Sequence, residues 1–305
     1  MKSTVPFPGG KPYPRSLHLW RPAGVPRALM LVSHGMAEHI GRYDALGRAL
    51  SAAGFLMAGF NQLGHGAEAP IKGWNSDQGG WDLLVDDLRL AFDWLAEDTP
   101  GARLVLLGHS AGSFLAREFA IRYPNRLDAL VLSATGWYPR ALCAAGLLIS
   151  GAQCLLGGAR KPSHLLDRMN FNANNKPFRR EGGSAFDWLS RDAEEVALYV
   201  NDPLCGFPYT AGGYRDLFTG LMALTDTARL KALRADLPVY LMSGTKDVVG
   251  GFGAGVRDVA GQYRLAGLTR VTEALYEGAR HELFHETNRE QAISGLIAWL
   301  EGLFA

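Results

Sequence analysis

Three residues that together can turn an alcohol into a nucleophile stand far apart in the chain: Ser110, Asp247 and His281. A serine hydroxyl is a weak nucleophile at neutral pH. It needs an imidazole to take its proton and a carboxylate to hold that imidazole in the right tautomer. Ser110 lies in Gly108-His109-Ser110-Ala111-Gly112. Before it, Arg103 and four aliphatics read as a buried strand; from Ala111 the pattern turns helical and stops at Tyr123-Pro124. Gly-x-Ser-x-Gly between a strand and a helix is the context of a nucleophile elbow. The glycines permit a sharp turn, and the helix N-terminus offers an N–H to a developing oxyanion. Without that context the motif would be an ordinary Gly/Ser turn.

The other two residues follow predicted strands. Asp247 comes after Leu237–Met242 in Ser243-Gly244-Thr245-Lys246-Asp247, and His281 ends Tyr276-Glu277-Gly278-Ala279-Arg280-His281. Functional groups on parallel sheets gather at the carboxyl ends of strands. Singly, such an Asp is a turn or cap and such a His is an exposed loop residue; together they complete a triad. A second oxyanion donor is expected from the loop after the strand at Ala28–Val32, where Ser33-His34-Gly35-Met36 puts the Met36 N–H beside that of Ala111. The plain alternative is a His-Gly turn.

Two patterns are set aside. His281-Glu-Leu-Phe-His285 matches a zinc signature, but that motif needs a helix and a further ligand, and a glycine precedes it directly after a strand. No metal is expected. Gly250-Gly251-Phe-Gly253-Ala-Gly255 lacks dinucleotide-binding spacing and reads as a loop.

The positioning elements alternate. Strands are expected at Ser16–Trp20, Ala28–Val32, Phe55–Phe60, Arg103–Leu107, Leu127–Leu132, Leu237–Met242 and Arg270–Tyr276, with helices between most of them. That rhythm means βαβ units: an α/β fold with a mostly parallel central sheet and helices on both faces. It breaks between Ala134 and Asp236, a stretch too long for a loop. Residues 134–236 are therefore expected to form an inserted, mainly helical cap on a core of 1–133 and 237–305. Within the cap, Asn170, Asn172, Asn174 and Asn175 read as a loop.

Lys and Arg total 31 against 30 acidic residues, a net charge of +1 with the signs interspersed, which argues against nucleic acid as a partner. Three cysteines without paired spacing suit reduced thiols in a cytoplasm. The proline-rich start does not read as a secretory signal. The charge-free run Ala141–Gly158 is short for a membrane span and is expected to be a buried or lid helix.

The chain resembles the α/β-hydrolase fold and, within it, serine hydrolases of the monoacylglycerol lipase and lysophospholipase group. The matching residues are His34-Gly35-Met36-Ala37-Glu38-His39 with Arg42-Tyr43, Gly64-His65-Gly66, Gly108-His109-Ser110-Ala111-Gly112, Gly244-x-x-Asp247 and Tyr276-Glu277-Gly278-Ala279-x-His281. The order Ser…Asp…His is that of the fold. In the cap, Asp187-Trp188-Leu189-Ser190-Arg191-Asp192 and Asp202-Pro203-Leu204-Cys205-Gly206-Phe207 look like the bacterial members. Three departures stand out: Ala111 replaces a usual Met, Asn61 a usual Asp, and His285 a usual Asn.

The resemblance implies an esterase acting on monoacylglycerols or lysophospholipids through an acyl-enzyme on Ser110, without a cofactor. Gly35, Glu38 and His39 are expected near the substrate, and Trp137, Leu142, Leu147, Leu148 and Leu155 are expected to roof the site; the last five would serve equally as cap core. An aminopeptidase or amidase, with Glu194, Glu195 and Asp202 as an acidic patch, is the rival within the fold. A non-catalytic binding protein is the rival outside enzymology. Membrane-surface contact through the cap, and a peripheral location, stay open, as does oligomeric state.

Overall fold

Along β3 (Leu29–Ser33), every residue is buried, yet the side chains divide between two cores. Leu29 and Leu31 join one hydrophobic cluster, while Met30 and Val32 join another on the opposite face. The same alternation splits Leu106 from Val105 and Leu107, Leu130 and Leu132 from Ala129 and Val131, and Leu241 from Tyr240 and Met242. Continuous apolar runs of this kind belong to a sheet covered on both sides.

The computed structural model describes residues 1–9 and 12–304. Around β3 the described strands are β1 (Lys2–Pro6), β2 (Ser16–Trp20), β4 (Leu56–Phe60), β5 (Leu104–His109), β6 (Ala129–Ser133), β7 (Val239–Gly244) and β8 (Val271–Tyr276). Their order is β1-β2-β4-β3-β5-β6-β7-β8; β1 and β2 run antiparallel to their neighbours and the rest are parallel. One face packs on α1 (Asp44–Ala52) and α9 (Arg289–Leu303). The other packs on α2 (Gly80–Asp98), α3 (Ala111–Arg122) and α8 (Ala254–Leu265). The expected α/β architecture is present, with boundaries within about three residues. Strand β1 is additional: its side chains are mostly exposed, so no apolar run betrays it, and Pro6 is tolerated at the end of an edge strand.

Between β6 and β7 the chain forms α4 (Arg140–Gln153), α5 (His164–Asn175), α6 (Ala193–Asn201) and α7 (Ala211–Leu224). A π-type turn, Cys154–Gly158, continues α4 and is broken by non-helical angles at Leu156 and Gly157. The apolar run is thus a kinked helix, and most of it lies on the surface rather than buried. The Asn-rich stretch is not a loop. It is the second half of α5, where Asn175 receives the Trp188 N–H on its side-chain oxygen and donates to the Ser184 carbonyl. These partners lie beyond the helix and offset asparagine's weak helix propensity.

Candidate active site

Ser110 occupies the turn from β5 into α3 with φ 52 and ψ −121, left-handed backbone in a non-glycine residue. The flanking glycines are required by close approach and not by a left-handed turn. A Cβ at Gly112 would sit 2.0 Å from the Ser33 carbonyl oxygen, and one at Gly108 would sit 2.3 Å from the Gly112 carbonyl. The first turn of α3 is therefore in backbone contact with the ends of β3 and β5. A Cβ at Gly35 would lie 3.2 Å from Ser110 Cβ, so the loop after β3 borders the serine.

His281, after β8, and Asp247, after β7, meet through a 2.8 Å hydrogen bond from Nδ1 to Oδ1. Asp247 also accepts from Ser243 Oγ (2.8 Å) and Val249 N (3.0 Å), which orients the carboxylate from three sides. With Nδ1–H engaged, His281 Nε2 is left to accept a proton. Burial pushes the imidazole pKa down, but Asp247, and beyond it Glu282 and Glu38, more than offset this and hold it above the ordinary value. Ser110 and His281 line the same cavity. Among the described residues the Ser110 hydroxyl has no hydrogen bond to His281; such bonds are commonly long until substrate arrives.

The two expected oxyanion donors share one device. In a trans peptide the C=O and N–H point in opposite directions. His34 Nδ1 donates to the Gly35 carbonyl (2.8 Å), which turns the Met36 N–H the other way. The Ser110 carbonyl accepts from Ser113 N (2.8 Å) and Ser113 Oγ (2.6 Å), which turns away the Ala111 N–H. Among the described residues neither N–H has a partner, and Met36 and Ala111 both line the cavity. His34 accepts the Gln62 N–H on Nε2, and burial holds its pKa near 4, so it remains a neutral clamp.

A buried ionic network braces the Met36 loop. Glu38 accepts from Gly35 N (2.5 Å), Tyr43 Oη (2.8 Å) and Arg42 Nη1 (3.0 Å), and Arg42 grips Glu282 bidentately at 2.5 and 2.7 Å. Burial raises the Glu38 pKa, but Arg42, joined by His109 and His34, more than offsets it and keeps the carboxyl below its usual range. His65 accepts the Ala37 N–H (3.3 Å) and the Tyr209 hydroxyl (2.7 Å) on Nε2. Two of the departures find structural work here. Asn61 Oδ1 accepts the Ile40 N–H at 3.1 Å, and His285 Nε2 donates to the Arg42 carbonyl at 2.9 Å.

The cavity measures about 240 Å³. Of the residues expected around the substrate, Gly35, Glu38 and Leu142 border it, although Glu38 is committed to its network. His39 does not. Its Nε2 pairs with Asp202 at 2.8 Å and its Nδ1 caps the next turn, so both ring nitrogens are taken. Trp137 lies outside the cavity wall, beside Arg117. Leu147, Leu148 and Leu155 are also absent from the wall, because helical spacing turns them away; Leu148 is 74% exposed and Leu155 90%.

Sequence reasoning missed most of the apolar wall: Ile149, Leu166, Tyr214, Leu217 and Phe218 from the inserted helices, and Trp188, whose ring lies 4.8 Å from that of His281. The Asp187–Asp192 motif could have pointed to Trp188. The others carry no signal beyond helical periodicity.

Comparison with known proteins gives a consistent result. The family model described as serine aminopeptidase, S33, matches residues 24–288. Mouse monoglyceride lipase is 30% identical over 272 residues, covering 88% of this chain and 79% of that protein. The monoacylglycerol lipase of Mycolicibacterium smegmatis is 26% identical, covering 92% and 91% respectively. The crystal structure of a thermostable carboxyl esterase from Bacillus coagulans, in complex with glycerol, superposes with a TM-score of 0.91 at 24% identity, covering 100% of this chain and 99% of that one. With the family model spanning most of the chain, this protein belongs to the serine aminopeptidase S33 family and is an α/β-hydrolase enzyme of the serine hydrolase kind.

Proposed function

We propose that the enzyme hydrolyses carboxylic esters of single-chain lipids, monoacylglycerols or lysophospholipids, through an acyl-enzyme on Ser110. The observation that carries this reading is the Asp247–His281 pair bordering, with Ser110, a cavity whose inserted-helix wall is mainly apolar, Asn170 and Asn174 being its amide side chains. His281 Nε2 takes the Ser110 proton as Oγ attacks the ester carbonyl. The Met36 and Ala111 N–H groups hold the oxyanion, and His281 returns the proton to the departing alcohol. Water, deprotonated by the same nitrogen, then releases the fatty acid and frees Ser110. Asp247 keeps the imidazole in its Nδ1–H tautomer throughout.

The names of the mouse and mycobacterial relatives support monoacylglycerols as the substrate class. Residues 134–236 act in this reading as a cap on a core of 1–133 and 237–305. The exposed leucines of α4 and its π-turn suit transient contact with a lipid surface, and three free cysteines suit a reducing cytoplasm.

The family description raises an aminopeptidase reading, which wants a free carboxylate for the substrate amine. Glu194, Glu195 and Asp202 do not border the cavity, and Glu38 and Glu282, which do, are tied to Arg42. Turnover of short-chain esters, monoacylglycerols, lysophospholipids and aminoacyl anilides, measured side by side, tests this. Preference for long-chain esters is expected; preference for anilides would overturn it. Fluorophosphonate labelling that disappears in Ser110→Ala separates an enzyme from a binding protein of the same fold.

A further inference from the structure

Asp247 is not the only group that meets the His281 imidazole. Two rings stand against it: the indole of Trp188, with centroids 4.8 Å and planes 39° apart, and the imidazole of His109, at 4.9 Å and 49°. His109, next to Ser110, is neutral, because burial pushes its pKa down to about 4. Trp188 arrives from the inserted segment between α5 and α6.

That segment is bonded to the His281 loop on both sides of the histidine. Arg280, the residue before it, donates from Nη1 to the carbonyls of Asp187 and Ser190, the second at 2.9 Å. Glu282, the residue after it, donates its N–H to the Leu189 carbonyl at 2.8 Å. Further on, Ser190 Oγ donates to the His285 carbonyl (2.8 Å). One oxygen of Glu286 accepts the N–H groups of both Arg191 (3.0 Å) and Arg280 (2.8 Å). The Trp188 N–H is itself taken by Asn175 Oδ1 at 3.0 Å. The backbone that carries the indole is thus fixed to the loop that carries the base.

An indole face attracts a cation, most strongly where water is excluded, and both rings are buried. Besides His109, the titratable and charged groups facing His281 are Asp247, and Glu38 and Glu282 with their shared partner Arg42. In the mechanism above, His281 is uncharged before reaction and becomes an imidazolium as it takes the Ser110 proton.

We propose that Trp188 is a positioning residue for the base: its indole, packed on the His281 ring, stabilises the imidazolium over the neutral imidazole and so works alongside Asp247. This role rests on the reading of His281 as the base. The bonds between residues 187–191 and 280–286 hold the indole in place for it.

Titration of His281 by NMR in the free enzyme should give a pKa about half to one unit lower in Trp188→Leu than in wild type, and a smaller drop in Trp188→Phe, whose ring attracts cations less. On a soluble short-chain ester, the acidic limb of kcat/KM should move down by the same interval. There kcat should fall about three- to tenfold with KM little changed. An unmoved pKa would overturn the proposal, as would a raised one, the result of water entering the space left by the indole. An acidic limb that stays put while the titration moves would break the assignment of His281 as the base, and this role for Trp188 with it. Should Trp188→Leu not fold, Trp188→Phe carries the test, and its His281 pKa must still lie below that of wild type.

Discussion

The two sides of the cavity are built on opposite plans. On the sheet side, almost every polar group is held by two or three hydrogen bonds: Asp247 by three partners, Glu38 by three, and the Ser110 carbonyl by two. On the side of the inserted helices, the wall is mainly alkyl groups and rings, with the amides of Asn170 and Asn174 set among them, and the outer face of α4 is left to solvent. Directional bonds hold atoms to fractions of an ångström, whereas apolar packing tolerates repacking. The contrast suggests that the sheet side sets the reaction and the inserted helices set which ester reaches it.

If so, the largest losses should come from the sheet side. Asp247→Asn should lower kcat by about 10⁴-fold with KM little changed, because His281 loses the acceptor that fixes its tautomer; steady-state kinetics on a soluble short-chain ester read this directly. Next is His34→Leu, which releases the Gly35 carbonyl and lets the Met36 N–H drift. A fall in kcat of roughly tenfold is expected, less than the 10²–10³ of losing a donor outright. An unchanged kcat in a folded variant would show that the carbonyl clamp is dispensable.

The pH dependence is a finer probe. In the proposed mechanism His281 must be neutral to act, and its pKa is raised, so activity should be lost as pH falls through a midpoint above the ordinary 6.5. The acidic limb of kcat/KM should therefore lie at less than half its plateau at pH 6.5. A midpoint below that value would mean that burial outweighs Asp247.

Changes on the roof should be mildest and substrate-dependent. Leu148→Glu with Leu155→Glu should leave short-chain ester turnover within about twofold. Turnover of monoacylglycerol presented in vesicles should fall about tenfold. Equal effects on both substrates would erase the distinction between the two sides.

The same division governed what could be read from sequence. Ser110, Asp247, His281, Met36 and Ala111 are marked by strand-then-turn motifs, where glycine and polar residues admit few alternatives. Roof residues are marked by periodicity alone, which says that a helix has an apolar face without saying what that face meets. Leu142 was found and Leu148 misplaced, although they sit on the same helix six residues apart. The His39–Asp202 pairing was equally hidden, since it joins segments 163 residues apart that no local pattern links. The run from Asn170 to Asn175 misled for another reason: Asn175, at its end, bonds residues outside the segment that propensity weighs.

Gly112 acts as a caliper on the reaction centre. With no side chain beyond its hydrogen, it lets the first turn of α3 close on the end of β3 until backbone meets backbone, and that closure sets the gap between the two amide protons proposed to receive the substrate oxygen. Widening the jaws by one carbon would not remove a single reactive group, yet it would leave the two amides unable to grasp the same atom.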